Sequence, residues 1–219
     1  MEFKFLTNRK RLVKLLATIC GLSGLTILVS SVWPIVEYQL TDARSYTTML
    51  SPLKDEGQDY TKASNWFPKA EQNTAPVAES KVLFYTVTIP KLKIENATVA
   101  IGGDDLSKSL VQYPGTALPG KNGNAVIFGH SILPIFYNPK NYMAIFSTLP
   151  TLKEGDDIFI NYDGIDYNYR VEELFEIYPS DIQILEQNPT DSFITLVTCT
   201  PPGDPRNPKR LIVRARVVS

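Results

Sequence analysis

No charged residue falls between Leu15 and Val36, and no later part of the chain holds an apolar run of that length. As a helix rising about 1.5 Å per residue, this stretch reaches roughly 33 Å, enough for a bilayer core of about 30 Å. Lys4, Arg9, Lys10, Arg11 and Lys14 precede it, and Trp33 and Tyr38 fall where an interfacial aromatic belt belongs. The pattern predicts a cytoplasmic tail over 1–14, one membrane-spanning anchor over 15–36, and everything after it outside the cell. A cleaved signal peptide is the competing reading, but its apolar region should be shorter. The nearest candidate cleavage site, Thr41-Asp42-Ala43, is a faint match, and Ala17-Thr18-Ile19 before Cys20 does not resemble a lipobox.

After the anchor the pattern turns polar. Residues 37–80, with Asp55-Glu56-Gly57-Gln58-Asp59 and Thr74-Ala75-Pro76, read as a linker holding a domain away from the lipid. Trp66-Phe67 interrupts it, either capping the folded domain or touching the membrane. From residue 81 to residue 219 short apolar or alternating runs recur between turn signals. Strands are expected over Val82–Pro90, Ile94–Ile101, Asn124–His130, Asp157–Tyr162, Ile165–Tyr178, Ser192–Cys199 and Arg210–Val218, with a single helical turn over Leu106–Val111. Ile132–Thr148 reads as irregular with a short helix. Asp163-Gly164 marks a hairpin, because a type I′ turn needs positive φ at both central residues. About eight strands at this spacing predict a mainly β fold, a closed or nearly closed barrel with short helices.

Composition narrows the chemistry. The chain has 219 residues, 43% of them hydrophobic, so one core of ordinary domain size is within reach. A formal net charge of -1 supplies no overall field for nucleic acid, and none is expected as a partner. Cys20 lies in the anchor, so Cys199 has no disulfide partner and is expected as a free thiol. No cofactor is implied and no metal site is predicted.

Attack on an amide needs a nucleophile, a group to protonate the leaving amine, and a donor for the developing oxyanion. Cys199 ends the apolar run Thr195-Leu196-Val197-Thr198-Cys199, just before Thr200-Pro201-Pro202-Gly203. A thiolate there would be held on a rigid element at a surface, and its acyl product is a thioester that an amine can open. The only histidine, His130, also ends a strand-like run, Ala125-Val126-Ile127-Phe128-Gly129-His130. Arg210 heads Leu211-Ile212-Val213; if Leu211 and Val213 face the core, then Arg210, Ile212 and Arg214 face the other way. An arginine at a barrel rim can donate to a carbonyl or oxyanion without losing its charge. Taken alone, these residues point to a cysteine acyl-transfer enzyme. A hydrolytic cysteine peptidase and a non-enzymatic anchored β-domain, with Cys199 buried, remain the rivals.

The TLxTC strand, the arginine opening the next strand and the histidine far upstream resemble the sortases, transpeptidases of bacterial cell surfaces. The resemblance runs from about Val82 onward. It implies that Cys199, His130 and Arg210 are catalytic, and that Cys199 attacks the Thr-Gly bond of an LPxTG-like signal on a secreted surface protein. The acyl group would pass to an amine acceptor such as a cell-wall precursor. Ile182, Ile184 and Leu185, within the segment between Val171 and Phe193, would receive the signal's Leu-Pro. The Thr198 hydroxyl and the amide after Cys199 would be further contacts. Pilin-polymerising members commonly add a C-terminal membrane span and a lid with an Asp-Pro-aromatic motif. Asn65-Trp66-Phe67-Pro68 is not that motif, so anchoring of single proteins is the expected task.

Overall fold

The computed structural model describes residues 3–41, 59–67, 82–203 and 209–218. The chain divides into two units, Met1–Thr47 and Thr48–Ser219. The first is a single helix, α1 (Phe3–Thr41), whose Val13–Trp33 portion is long and apolar enough to cross a membrane and lies exposed along its whole length. Its hydroxyls bond back within the helix, Thr18 to the Lys14 carbonyl at 2.7 Å and Thr26 to that of Leu22 at 2.8 Å. No polar group of these side chains is then left unpaired toward an apolar solvent.

In the second unit eight strands close a barrel: β1 (Phe84–Ile89), β2 (Ile94–Ile101), β3 (Leu110–Gln112), β4 (Gly123–Phe128), β5 (Asp157–Tyr162), β6 (Ile165–Ile177), β7 (Ser192–Thr200) and β8 (Lys209–Val217). Around the barrel the order is β1-β2-β3-β4-β7-β8-β6-β5, with β2/β3 and β4/β7 parallel and the other neighbours antiparallel. Alternation assigns the faces. Ile194 and Leu196 of β7 with Leu211, Val213 and Ala215 of β8 join the interior core, which draws on every strand. Val197 and Ile212 point outward into a second apolar cluster with Val126 and Phe128. The expected hairpin is present, with φ of 53° at Asp163 and 76° at Gly164.

Two expectations change. The helical turn expected over Leu106–Val111 is instead the approach to β3, which lies parallel to β2 and pairs Val111 with Phe128 of β4. Three residues are too few to show a period of two, so this strand exists by tertiary pairing rather than by local pattern. The linker also contributes to the packed unit: Ala63, Trp66 and Phe67 are fully buried in the outer cluster, and Ala63 donates to the Asp104 carbonyl at 2.9 Å. Trp66-Phe67 therefore caps the domain. The rest of that stretch, 42–58 and 68–81, lies outside the described residues, as do the tail at 1–2 and Arg206.

Candidate active site

Three adjacent strands, β4, β7 and β8, carry the candidate chemistry on the barrel's outer face. Phe128 pairs with Val197 across the parallel β4–β7 ladder, and the Gly129 amide extends it by donating to the Val197 carbonyl at 3.1 Å. His130 follows at the point where the ladder ends. Three bonds fix it there: Thr198 Oγ1 to the Gly129 carbonyl at 2.8 Å, Ser131 Oγ to the Cys199 carbonyl at 2.8 Å, and the Phe146 amide to the His130 carbonyl at 2.9 Å. Gly129 is required sterically, since a Cβ there would fall 2.5 Å from the Phe146 ring and 2.6 Å from Leu110. Across the β7–β8 ladder Cys199 pairs directly with Arg210, and Arg210 Nη1 lies 3.8 Å from Sγ.

Arg210 is fully buried rather than solvated. Its Nη2 donates to the Trp66 carbonyl at 3.2 Å, its Nη1 to the Lys209 carbonyl at 3.3 Å, and its guanidinium stacks on Tyr60 and Trp66 at 5.3 and 5.1 Å from the ring centroids. The Trp66 indole also meets the His130 ring edge-on at 5.9 Å. His130 is 7% exposed, and its Nε2 is buried with no hydrogen-bond partner among the described residues. Burial pushes the imidazole below its ordinary value, with Asp59 and Asp105 pulling weakly the other way. Burial likewise pushes the Cys199 thiol up, partly offset by Arg210. At neutral pH both groups are therefore held uncharged, and no hydrogen bond joins them. The 59–67 segment contributes to that burial, since Trp66 meets the His130 ring and Cys199 packs against the cluster that holds Ala63, Trp66 and Phe67; sequence reasoning missed Tyr60 and Trp66 as neighbours of the site. An aromatic pair in an otherwise polar stretch was the available signal.

The remaining candidates separate. Thr198 is fully buried with its hydroxyl engaged by Gly129, a placement suited to holding the His130 corner rather than meeting a ligand. Ile184 is buried in the outer cluster, Leu185 packs against that cluster, and Ile182 is 39% exposed. A cavity of about 600 Å³ lies between the segment that carries them and the strands, with Asn124, Phe193 and Arg214 among its walls. Arg214 pairs with Glu173 at 3.3 Å and Arg216 with Glu172 at 2.8 Å. Of the described arginines considered, Arg210 is the one beside Cys199. Glu176 accepts from Lys209 at 3.2 Å and from the Thr200 hydroxyl at 2.9 Å. Among the described residues no three His, Cys, Asp or Glu gather as a metal site would require.

Similarity to known proteins points the same way as the geometry. A profile of the sortase domain matches residues 87–218. Sortase A of Bacillus anthracis is 26% identical over 171 residues, covering 73% of this chain and 75% of that protein. Sortase A of Streptococcus agalactiae is 25% identical over 132 residues, 60% of this chain; the match spans about half of that relative, 51%. The solved structure of a sortase D5 transpeptidase from Clostridium perfringens superposes with a TM-score of 0.53 at 29% identity, covering 62% of this chain and 79% of that one.

Proposed function

This chain belongs to the sortase family, whose members are cysteine transpeptidases of the cell surface, and we propose that it cleaves an LPxTG-like sorting signal and transfers the released carboxyl to an amine. The observation carrying the reading is the opposition of Cys199 and Arg210 across one ladder, with His130 ending the neighbouring strand. The sulfur attacks the Thr carbonyl carbon of the signal while the His130 imidazole takes the thiol proton. The Thr-Gly bond then breaks, and His130 returns that proton to the departing Gly amine. An incoming amine adds to the thioester and gives a proton to His130; the C–S bond breaks as the amide forms, and the sulfur leaves as a thiolate that takes the proton back from His130.

Arg210 donates to the substrate backbone and to the oxyanion. Its existing bonds support this role: Nη1, the donor beside the sulfur, already meets the main-chain carbonyl of Lys209, and Nη2 meets that of Trp66. The Trp66 contact implies that residues 59–67 move aside before a signal peptide is seated. Ile184, which lines the cavity, would receive the signal's Leu-Pro together with Leu185 and the more exposed Ile182 on the same segment. We place α1 in the membrane through 15–36, with tail 1–14 in the cytoplasm and the catalytic domain 81–219 outside. The acceptor is an amine of a cell-wall precursor or another surface protein.

Mass spectrometry of the full-length protein in detergent with an LPxTG-like peptide tests the reading. A covalent acyl adduct on Cys199 that an added amine discharges to a transpeptidation product is expected. Release of free acid alone, at a rate indifferent to the amine, refutes transfer in favour of hydrolysis.

A further inference from the structure

Between β6 and β7 the chain leaves the barrel, makes a short 3₁₀ turn over Ile182–Leu185, and returns at Ser192. This segment forms the outer wall of the cavity described above. Besides the Asn122 Nδ2 bond to the Pro189 carbonyl at 2.9 Å and the Gly123 amide bond to the Asp191 carbonyl at 2.8 Å, two side-chain amides attach it to the strands. Gln187 Oε1 accepts from the Asn124 amide at 3.0 Å and the Ala117 amide at 3.1 Å. Gln187 Nε2 donates to the Asn124 carbonyl at 3.1 Å and the Leu185 carbonyl at 2.9 Å. Two N–H groups face one end of this side chain and two carbonyls the other, so one orientation of a neutral amide satisfies all four.

Asn124 reciprocates. Its Nδ2 donates to the Ile184 carbonyl at 2.9 Å, and its Oδ1 accepts from the buried Thr195 hydroxyl at 2.8 Å. The wall is thus tied at Ile184 and at Gln187 to a single residue of β4, the strand that leads to His130. Through Thr195 it is also tied to β7, the strand that carries Cys199. Gly123 leaves room for the arrangement, since a Cβ there would fall 2.9 Å from Gln187 Oε1 and 2.6 Å from Ala117 Cβ.

We propose that Gln187 is a positioning residue that sets substrate selectivity: with Asn124, it fixes the peptide-binding wall at one height above β4 and β7. This rests on the reading that Ile184 and Leu185 receive the Leu-Pro of the signal. A carboxylate cannot replace the amide, because it would set a negative oxygen against two carbonyls. Alanine would remove all four bonds while leaving the apolar core untouched, since the residue as a whole is exposed.

The test measures kcat and KM of the full-length wild type, Gln187→Ala and Gln187→Glu with an LPxTG-like peptide and its Leu→Ala analogue. Iodoacetamide labelling of Cys199 and the thermal midpoint are followed in parallel. Both variants are expected to raise KM about tenfold and to lose most of the preference for Leu over Ala. Their kcat should stay within about twofold of wild type, with unchanged labelling. Wild-type KM and selectivity in both variants would overturn the proposal while leaving the enzyme reading intact. A fall in kcat, labelling rate and midpoint together would show a general structural role and overturn it also. If Gln187→Ala does not fold, Gln187→Glu, which keeps the two accepting bonds, carries the test alone. No turnover by the wild type itself would overturn the enzyme reading and this proposal with it.

Discussion

Trp66→Ala addresses how far residues 59–67 cover the half-buried Cys199. The indole is fully buried, stacks under the Arg210 guanidinium and packs against Phe128 at 5.4 Å between ring centroids. Burying an aromatic of this size removes about 150–250 Å² from water, or about 4–6 kcal/mol at 25 cal/mol per Å². Discounting by about a third for burial already present in the undocked chain leaves roughly 3–4 kcal/mol. The guanidinium contact adds about 1 kcal/mol more. At 1.4 kcal/mol per decade, the opening equilibrium of residues 59–67 should shift by about two decades or more. The assay is the rate of iodoacetamide labelling of Cys199 in a full-length Cys20→Ala background, with the thermal midpoint measured alongside. Labelling should accelerate at least tenfold, and its pH midpoint should fall as the burial that raises the thiol is relieved. An unchanged labelling rate and pH midpoint, in a variant whose thermal midpoint has dropped, would refute the reasoning. Trp66 would then be core packing, with the thiol reached by another route.

Arg210→Lys keeps charge but loses the planar fork, so turnover should drop roughly tenfold, and Arg210→Ala should lose about 3 kcal/mol, a hundredfold or more. Peptide affinity measured in a Cys199→Ala background should change much less, and Arg214→Ala should retain near-normal kcat; equal losses at both arginines would contradict the assignment. Gly129→Ala should destabilise by about 1–3 kcal/mol, because the new Cβ meets the Phe146 ring and Leu110. A midpoint several degrees lower in calorimetry is expected, and an unchanged one would show that the corner can relax. For pH, the folded His130 binds its proton more weakly than in the unfolded chain, where the value is about 6.5. The unfolded state therefore takes up more protons as pH falls through that value, so stability should decline as pH drops below it and level off above it. Denaturant midpoints of wild type and His130→Gln across this range measure the difference, and identical slopes would contradict the buried, neutral imidazole.

Strands with strong alternation or long apolar runs were legible in the sequence, as was the Asp163-Gly164 hairpin, because their periodicity and turn chemistry are local. β3 was not legible: Leu110–Gln112 is too short to carry a pattern and owes its conformation to β2 and β4. For the candidate site, the strand-end placement of Cys199 and His130 and the outward face of Arg210 followed from alternation alone. The burial of Arg210 did not, because it depends on Tyr60 and Trp66, well over a hundred residues upstream in a stretch with linker composition. The amides of Asn124 and Gln187 were equally invisible. Asn and Gln in loops are ordinary, and only the fold reveals that their polar atoms answer one another.

The parallel pairing of β4 with β7 has a consequence for the order in which the candidate site is assembled. The bonds that join the His130 corner to the end of β7 close loops of 68 and 69 residues, and a parallel pair cannot be made by a hairpin. Contacts of such sequence separation form late, since loop-closure entropy must be overcome before they contribute. Until β7 is laid against β4, no His130 corner is joined to the end of β7, whereas Arg210, 11 residues on in the antiparallel β8, reaches Cys199 through a local connection. The full set of Cys199, His130 and Arg210 is thus assembled only when the long-range β4–β7 ladder forms. Pulse-labelled refolding should accordingly show protection of the β1–β2 amides before any acylation, with acyl-transfer competence appearing together with protection of β7.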